Sequence, residues 1–429
     1  MVRSFSAVLR GAALFGLLAL ISLSPVRADE GGTPAHADQP VKIPPGMRLQ
    51  HQNGSDAVSA WDTARTSGGG SKTSGGGSSL SLPNWTYSIQ SSRDGKTYSG
   101  KVVGNNPATG GTSVVPTYII PVKLVFKYSS TTSYVFDPTA TDPGCLGNAT
   151  NTAISLTTAS PIFQNYPFTL VNSGDDSTQY SDHFNRANFY HNTVAAGGYH
   201  TLLSPIVEPV QTVTLTASNS VFSNATVYSA SGQCGTNTGS TNLPGYLGVV
   251  NINTWDPIAR SLITSLGLNA AELPLFVFYN AAMSQGAASN LNNCCILGYH
   301  NAAGSPTQTY AVAEFEGRDG TLFSNVSDVA SMSHEINEWM QDPGGANATP
   351  AWGGIGQVTG CQSNYEVGDP LSGTLLPAVP GINVAFTYHL QELAFFSWFY
   401  GGPSIAINGW YSDNNTFGKT AAVCPPGGV

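Results

Sequence analysis

Charge is what this sequence has least of. Asp, Glu, Lys and Arg make up 10% of its 429 residues, against roughly a quarter in an ordinary domain. Lys and Arg number only 16 against 25 Asp and Glu, a formal net charge of −9. Nucleic-acid binding rests on clustered Lys and Arg neutralising phosphates. This balance therefore argues against a nucleic-acid partner and, for the same reason, against an anionic membrane surface. Few ion pairs also leave little stability to lose when carboxylates protonate, which suits an acidic exterior.

Long apolar runs are scarce too. Residues 11–23 form an apolar stretch too short to span a bilayer comfortably, preceded by Arg3 and Arg10 and followed by Val26-Arg27-Ala28. That is the layout of a secretory signal over residues 1–28. It carries three Arg, so the chain without it sits near −12 (−9 − 3). Further on, 384–400 is the nearest thing to a span, and His389, Gln391 and Glu392 interrupt it. Membrane insertion is not expected, and the product reads as secreted and extracellular.

Several chemical signatures are missing. No C-x-x-C pair exists, which argues against a cysteine zinc site. Gly95-Lys96-Thr97 lacks the earlier glycine of a P-loop, and neither G-x-S-x-G nor G-x-G-x-x-G occurs. Six cysteines remain, Cys145, Cys234, Cys294, Cys295, Cys361 and Cys424. An even count in a secreted chain suggests disulfides, and the adjacent Cys294 and Cys295 are expected to bond to different partners.

Residues 66–79 (TSGGGSKTSGGGSS) have the composition of a flexible linker. Region 29–79 is expected to be a disordered pro-region or tether, with folded structure beginning near Leu80. Region 80–235 reads as β-rich and 236–429 as a metal-binding region, with one compact unit over 80–429 as the alternative. Residues 86–89 and 97–103 flank a turn at Arg93-Asp94-Gly95-Lys96. Residues 118–128 form a strong strand in which Pro121 signals an edge or a bulge. A helix is expected over 179–191, and strands over 206–216 and 220–229. Then come a strand at 246–253, a helix at 256–266 capped by Asp256 with Pro257 at its first position, and a buried strand at 273–279. Residues 295–300 read as another strand and 309–316 as an alternating, half-exposed one. Ser327 is expected to cap a helix running to about Gln341, stopped by Pro343-Gly344-Gly345.

That last helix carries Ser333-His334-Glu335-Ile336-Asn337-Glu338, an H-E-x-x-E motif. In a helix, His334 and Glu338 stand about 40° apart around the axis and about 6 Å along it, so that one cation can touch both. Glu335 lies between them, turned about 100° from His334. This is the layout of the H-E-x-x-H zinc helix with the second histidine replaced by glutamate. The bland alternative is an ordinary i,i+4 His–Glu pair, stabilising the helix by about 0.3 kcal/mol.

Strand, helix, strand, edge strand and then a helix bearing H-E-x-x-[H/E] resembles the upper half of the zincin metallopeptidases, over residues 244–370. The resemblance implies an α+β fold, a β-rich N-terminal part followed by a mixed sheet with an active-site helix. It also implies zinc on His334 and Glu338, Glu335 as general base, and a peptide or protein as substrate. The pieces QYSDHFNRANFYH (179–191), GYH (298–300), SHEINEWMQDP (333–343) and YEVGD (365–369) also resemble a loose group of secreted, mostly bacterial proteins without assigned function.

A catalytic zinc wants a third protein ligand. Glu366 is the first choice, on a segment 361–373 that reads as a loop, with Asp369 and Asp342 as alternatives. Two carboxylates and one imidazole polarise less than a two-histidine site, and they suit harder cations such as calcium or manganese as well as zinc. Candidate oxyanion donors are His300 and Tyr365. A non-catalytic binding or wall-associated protein with a structural or vestigial cation is the second hypothesis. Asp182, His183, His191 and His200 are weighed as a second site and read instead as exposed helix and loop. Glu314 and Glu316 are weighed as a glycosidase pair and read instead as solvated charges on an edge strand.

Overall fold

The computed structural model describes residues 41–42, 80–170, 174–189, 198–229, 246–317, 323, 326–404, 409–418 and 424. The signal and linker segments (1–28 and 66–79), His191 and Cys234 lie outside the described residues. The fold is α+β, several sheets with few helices. Its described residues from Leu80 onward belong to one compact unit, Ala37–Val429.

The spine is a sixteen-residue strand, β1 (Thr112–Lys127), on whose two edges the rest of the main sheet assembles. Its Val, Ile, Leu and Phe residues favour extended backbone, and Val115, Ile119, Ile120, Val122, Leu124 and Phe126 are buried. His200–Val207 pairs with Thr112–Ile119 and Gln211–Thr216 with Val122–Lys127, both parallel. Pro121 falls at the changeover between these two partners, inside the strand and not on a sheet edge. There the missing N–H of proline costs no ladder bond on that side. Helix α1 (Tyr180–Asn188) precedes the first of these partners and is buried along most of its length, with Asp182 and His183 0–1% exposed.

Helix α2 (Ile252–Ser265) starts earlier than the sequence suggested. Asn251 is its N-cap, accepting a hydrogen bond from the backbone N–H of Asn253, and Pro257 lies inside the helix. Asp256 is therefore no cap. Its buried carboxylate accepts hydrogen bonds from Tyr299 and Tyr310 and pairs with Arg260. Strand β2 (Leu273–Tyr279) is buried throughout and lies parallel to β1.

Next come β3 (Gly298–Ala303) and β4 (Gln308–Phe315), an antiparallel pair in which β4 also pairs parallel with β2. The sheet thus runs β3–β4–β2–β1, with β3 on the margin. Here an expectation fails. The 309–316 segment is neither half-exposed nor an edge, and both Glu314 and Glu316 are buried. The alternation is real but reports two different buried faces. Ala311, Ala313 and Phe315 meet one core, and Tyr310 and Val312 meet another.

Helix α3 (Ala330–Gln341) lies against β3 and β4, and all of its residues are buried. Val329 is its N-cap with no side-chain cap bond, so Ser327 is not the cap, and its carbonyl instead accepts the Ala330 N–H. The Trp339 indole donates to Thr309 Oγ1 at 2.9 Å, tying helix to sheet. After the helix, β5 (Ala348–Ile355) and β6 (Val358–Asn364) form a hairpin, so part of the 361–373 segment is strand. A single 3₁₀ turn at Asp369–Leu371 follows. Cys361 is bonded to Cys424, while Cys294 and Cys295 are bonded to each other and not to separate partners. No described helix is long and apolar enough to cross a membrane.

Candidate metal centre

Three pieces of backbone build the site. In an edge strand, residues i and i+2 share a face, so Gly298 and His300 of β3 both turn toward α3. On α3, His334, Glu335 and Glu338 lie within little more than one turn. The third piece is the return segment from Glu366 to Asp369, delivered by the β5–β6 hairpin.

Close approach is possible because glycine stands at two contact points. A Cβ on Gly298 would lie 2.5 Å from Glu335 Cγ, and one on Gly368 would lie 2.6 Å from His334 Nδ1. Any side chain there would push the functional group out of place.

Glu338 is the hub. Its Oε1 accepts hydrogen bonds from the backbone N–H groups of Gly368 (3.0 Å) and Asp369 (3.2 Å). That leaves Oε2 facing two imidazoles, His334 Nε2 at 3.0 Å and His300 Nδ1 at 3.8 Å. His334 Nε2 is also 3.5 Å from Asp369 Oδ1. On its other side, His334 Nδ1 is 3.1 Å from Gln391 Oε1. The Gln391 amide is fixed by donating to the Gly368 carbonyl, so its oxygen accepts and Nδ1 carries the hydrogen. The Nε2 lone pair of a neutral His334 is thereby aimed at Glu338 and Asp369, as a metal-ligating histidine requires.

Two groups of converging ligand atoms result among the described residues. One is His334, Glu338 and Asp369. The other is His300, Glu335 and Glu338. The first has the donor types of a divalent cation site, and its members are 0–4% exposed. The residues fit a cation: Glu338 keeps one oxygen free, His334 is oriented, and Asp369 is braced by the side-chain amides of Gln357 and Gln362.

The acidic side chain beside His334 lies three residues beyond the one expected. Asp369, weighed above as an alternative, lies 3.5 Å from His334 Nε2, and Glu366 is not in that group. Because the Gly368 and Asp369 N–H groups clamp onto Glu338, Asp369 is drawn to His334, and Glu366 falls on the other side of the cluster. There its Oε2 lies 3.8 Å from His300 Nε2, and its Oε1 accepts from Asn364 Nδ2. Asp342 belongs to neither group. Its carboxylate accepts from the backbone N–H groups of Ala346 and Asn347, closing the helix C-terminus. Tyr365 is not available as an oxyanion donor, since its hydroxyl lies between Asn188 and Gln341 inside an aromatic group with Phe396, Phe399 and Tyr400. His300, by contrast, is at the heart of the site. Gln391 and Gly368 are participants that sequence reading missed. Gln391 stood out only as one of the polar residues breaking the 384–400 apolar run.

The weaker clusters resolve as structure. Asp182 accepts from Thr178 and the Thr201 N–H and pairs with His200, while His183 meets Asp413. Asp182 and His183 are buried scaffolding and not exposed helix, and His200 is half-buried.

The electrostatics favour protons or cations in this cluster. Burial alone would lower the His300 imidazole, but Glu366, Glu335 and Glu338 outweigh it and push the group up to about 10. His334 is likewise opposed by burial and raised well above its ordinary range by Glu338 and Asp369. Burial and the neighbouring Glu338 drive Glu366 upward, and burial takes Asp342 up to about 6. Both imidazoles are thus favoured in their protonated form in the cation-free protein. A divalent cation must displace that proton, so apparent affinity is expected to rise with pH. Calorimetric titration with Zn²⁺ in buffers of different ionisation enthalpy is expected to report at least one proton released per cation at pH 7. No release would contradict the imidazole assignment.

Against protein-family models, curated proteins and solved structures, the chain has no match.

Proposed function

We propose that this chain is a secreted, cation-dependent hydrolase acting on peptide bonds, with a cation, zinc foremost, held by His334, Glu338 and Asp369. One observation carries the reading: His334 and Glu338 on one helix converge with Asp369, while Glu335, on that same helix, stands free of the first ligand group. The zincin resemblance of the sequence points the same way, and a signal-like N-terminus with a Cys361–Cys424 disulfide suits an oxidising, extracellular compartment.

A cation bound there supplies Lewis-acid polarisation of a carbonyl and a lowered pKa for water. The chain supplies the rest. Glu335, 3.6 Å from His300, accepts the proton of the attacking water and passes it to the leaving amine. His300, cationic at neutral pH, donates toward the oxyanion that develops on the scissile carbonyl. Gln391 holds the His334 ring, and the Gly368 and Asp369 N–H groups hold Glu338.

A second reading, a structural cation without catalysis, is favoured by burial, since no member of the cluster is more than 7% exposed. The test is elemental analysis of the purified protein, followed by hydrolysis of a mixed peptide library and thermal unfolding before and after a chelator. Bound metal, with peptide cleavage abolished by the chelator and restored by Zn²⁺, is expected. Lost stability without any cleavage in the loaded protein would favour the structural reading. A metal-free protein indifferent to chelator would sink both.

A further inference from the structure

The second ligand group, His300, Glu335 and Glu338, holds no cation in this reading. His300 Nδ1 lies 3.6 Å from Glu335 Oε2 and 3.8 Å from Glu338 Oε2. These separations are too long for hydrogen bonds. They are near the roughly 3.4 Å between two ligands of one tetrahedral cation with bonds of about 2.1 Å. On the far side of the ring, His300 Nε2 has no hydrogen-bond partner, and neither has Glu366 Oε2, 3.8 Å away. Both atoms are buried in side chains more than nine-tenths buried. An orphaned imidazole nitrogen aimed at an orphaned carboxylate oxygen is how the outer side of a metal-bound histidine is arranged.

We infer that the protein binds a second divalent cation on His300 Nδ1, Glu335 and Glu338, with Glu366 as the carboxylate that faces His300 Nε2 from 3.8 Å and closes on its N–H when the cation is held. Glu338 Oε2 belongs to both groups, so it bridges the two cations. Formal charge agrees. Glu335, Glu338, Asp342, Glu366 and Asp369 are five buried carboxyl groups. With neutral imidazoles, one divalent cation leaves −3 (−5 + 2) and two leave −1 (−5 + 4). The consequence for catalysis rests on the proposed function. A Glu335 carboxylate that ligates a cation cannot accept a proton, so the second cation is inhibitory. Hydrolysis rises with the first equivalent of metal and falls with the second.

The experiment is equilibrium dialysis of the full chain against Mn²⁺, with electron paramagnetic resonance of the bound ion. The wild type is expected to take two Mn²⁺ and to show a spin-coupled spectrum, because cations sharing one ligand atom lie about 3.5–4 Å apart. His300→Ala is expected to take one and to lose the coupling. Glu366→Gln, which keeps the shape of the side chain, is expected to weaken the second site about 10–100-fold and leave the first. A wild type that takes only one Mn²⁺ overturns the second site and leaves the first reading standing. Two coupled ions retained in both variants overturns this ligand set. A wild type that takes none overturns the second site, and the first reading is then decided by its zinc content and Zn²⁺ titration.

Discussion

Glu335→Gln is expected to lower kcat/KM for peptide cleavage by about 10²–10⁴-fold, the range a positioned general base contributes, while the protein still folds and still binds a cation at His334, Glu338 and Asp369. That fold-change corresponds to about 2.7–5.5 kcal/mol of transition-state stabilisation. The substitution isolates the proton-accepting function. Glutamine matches glutamate in shape, which matters because Gly298 leaves so little room that a Cβ there would lie within 3 Å of the Glu335 side chain. None of the three first-group ligands is altered, and Glu338 keeps its bonds to Gly368 and Asp369. An equally active variant would remove Glu335 from the mechanism. Equal loss with His334→Ala, but no metal in either protein, would show that Glu335 acts by holding metal. Tight binding of one Mn²⁺ alongside lost cleavage is the combination the proposal requires.

How much of this was legible in the sequence follows from the range of the interactions. The ligand pair on α3 is local: one helical turn fixes it, and the motif could be read from residue types and spacing. Strands built of Leu, Val and aromatic residues, such as 273–279, were likewise evident. The turn at Arg93–Lys96 was evident from Asp94-Gly95 between two strand-like runs, and Gly95 takes a positive φ of 72° there. What escaped depends on neighbours distant in sequence. Alternation in 309–316 was read as one wet face, because nothing local reveals that α2 and α3 cover opposite sides of the sheet. Asp256 has the local signature of a cap, but three partners from β3 and β4 claim its carboxylate. Pro121 could not announce that two different strands would change places beside it.

The third ligand illustrates the same limit at the site. Glu366 and Asp369 are three residues apart and chemically alike, and sequence ranks them only by analogy. Their fates are decided by two backbone N–H groups. Once Gly368 and Asp369 donate to Glu338 Oε1, the chain direction hands Asp369 to His334 and Glu366 to His300. His300 itself was suggested only as an oxyanion donor, since a single histidine in a strand carries no spacing signal that links it to a helix more than thirty residues onward. Gln391, which sets the His334 tautomer, showed only as a polar break in an apolar run, with nothing to tie it to His334.

Glu338→Gln is expected to abolish cation binding at both groups, by on the order of 10²-fold or more in affinity, beyond what a supporting residue alone would cost. The fold should survive. Glutamine can keep Oε1 where Gly368 and Asp369 donate to it and place its amide nitrogen where Oε2 stood. That nitrogen has no lone pair to offer a metal. It also faces His334 Nε2 as a donor against a donor, so the imidazole loses the carboxylate that keeps it protonated. The His334 ring is therefore expected to titrate at lower pH than in the wild type, visible by NMR of the cation-free protein. Glu338→Ala makes the complementary case. It removes the same ligand and also strands the Gly368 and Asp369 N–H groups in the interior, at about 1–3 kcal/mol each. Denaturant unfolding of the cation-free proteins should rank wild type, then Gln, then Ala, with the last two separated by about 2–6 kcal/mol. If Gln and Ala are equally stable, the N–H clamp does not organise the return segment. If Glu338→Gln still takes up two Mn²⁺ with wild-type affinity, Glu338 is not the shared ligand, and the centre as assigned here does not exist.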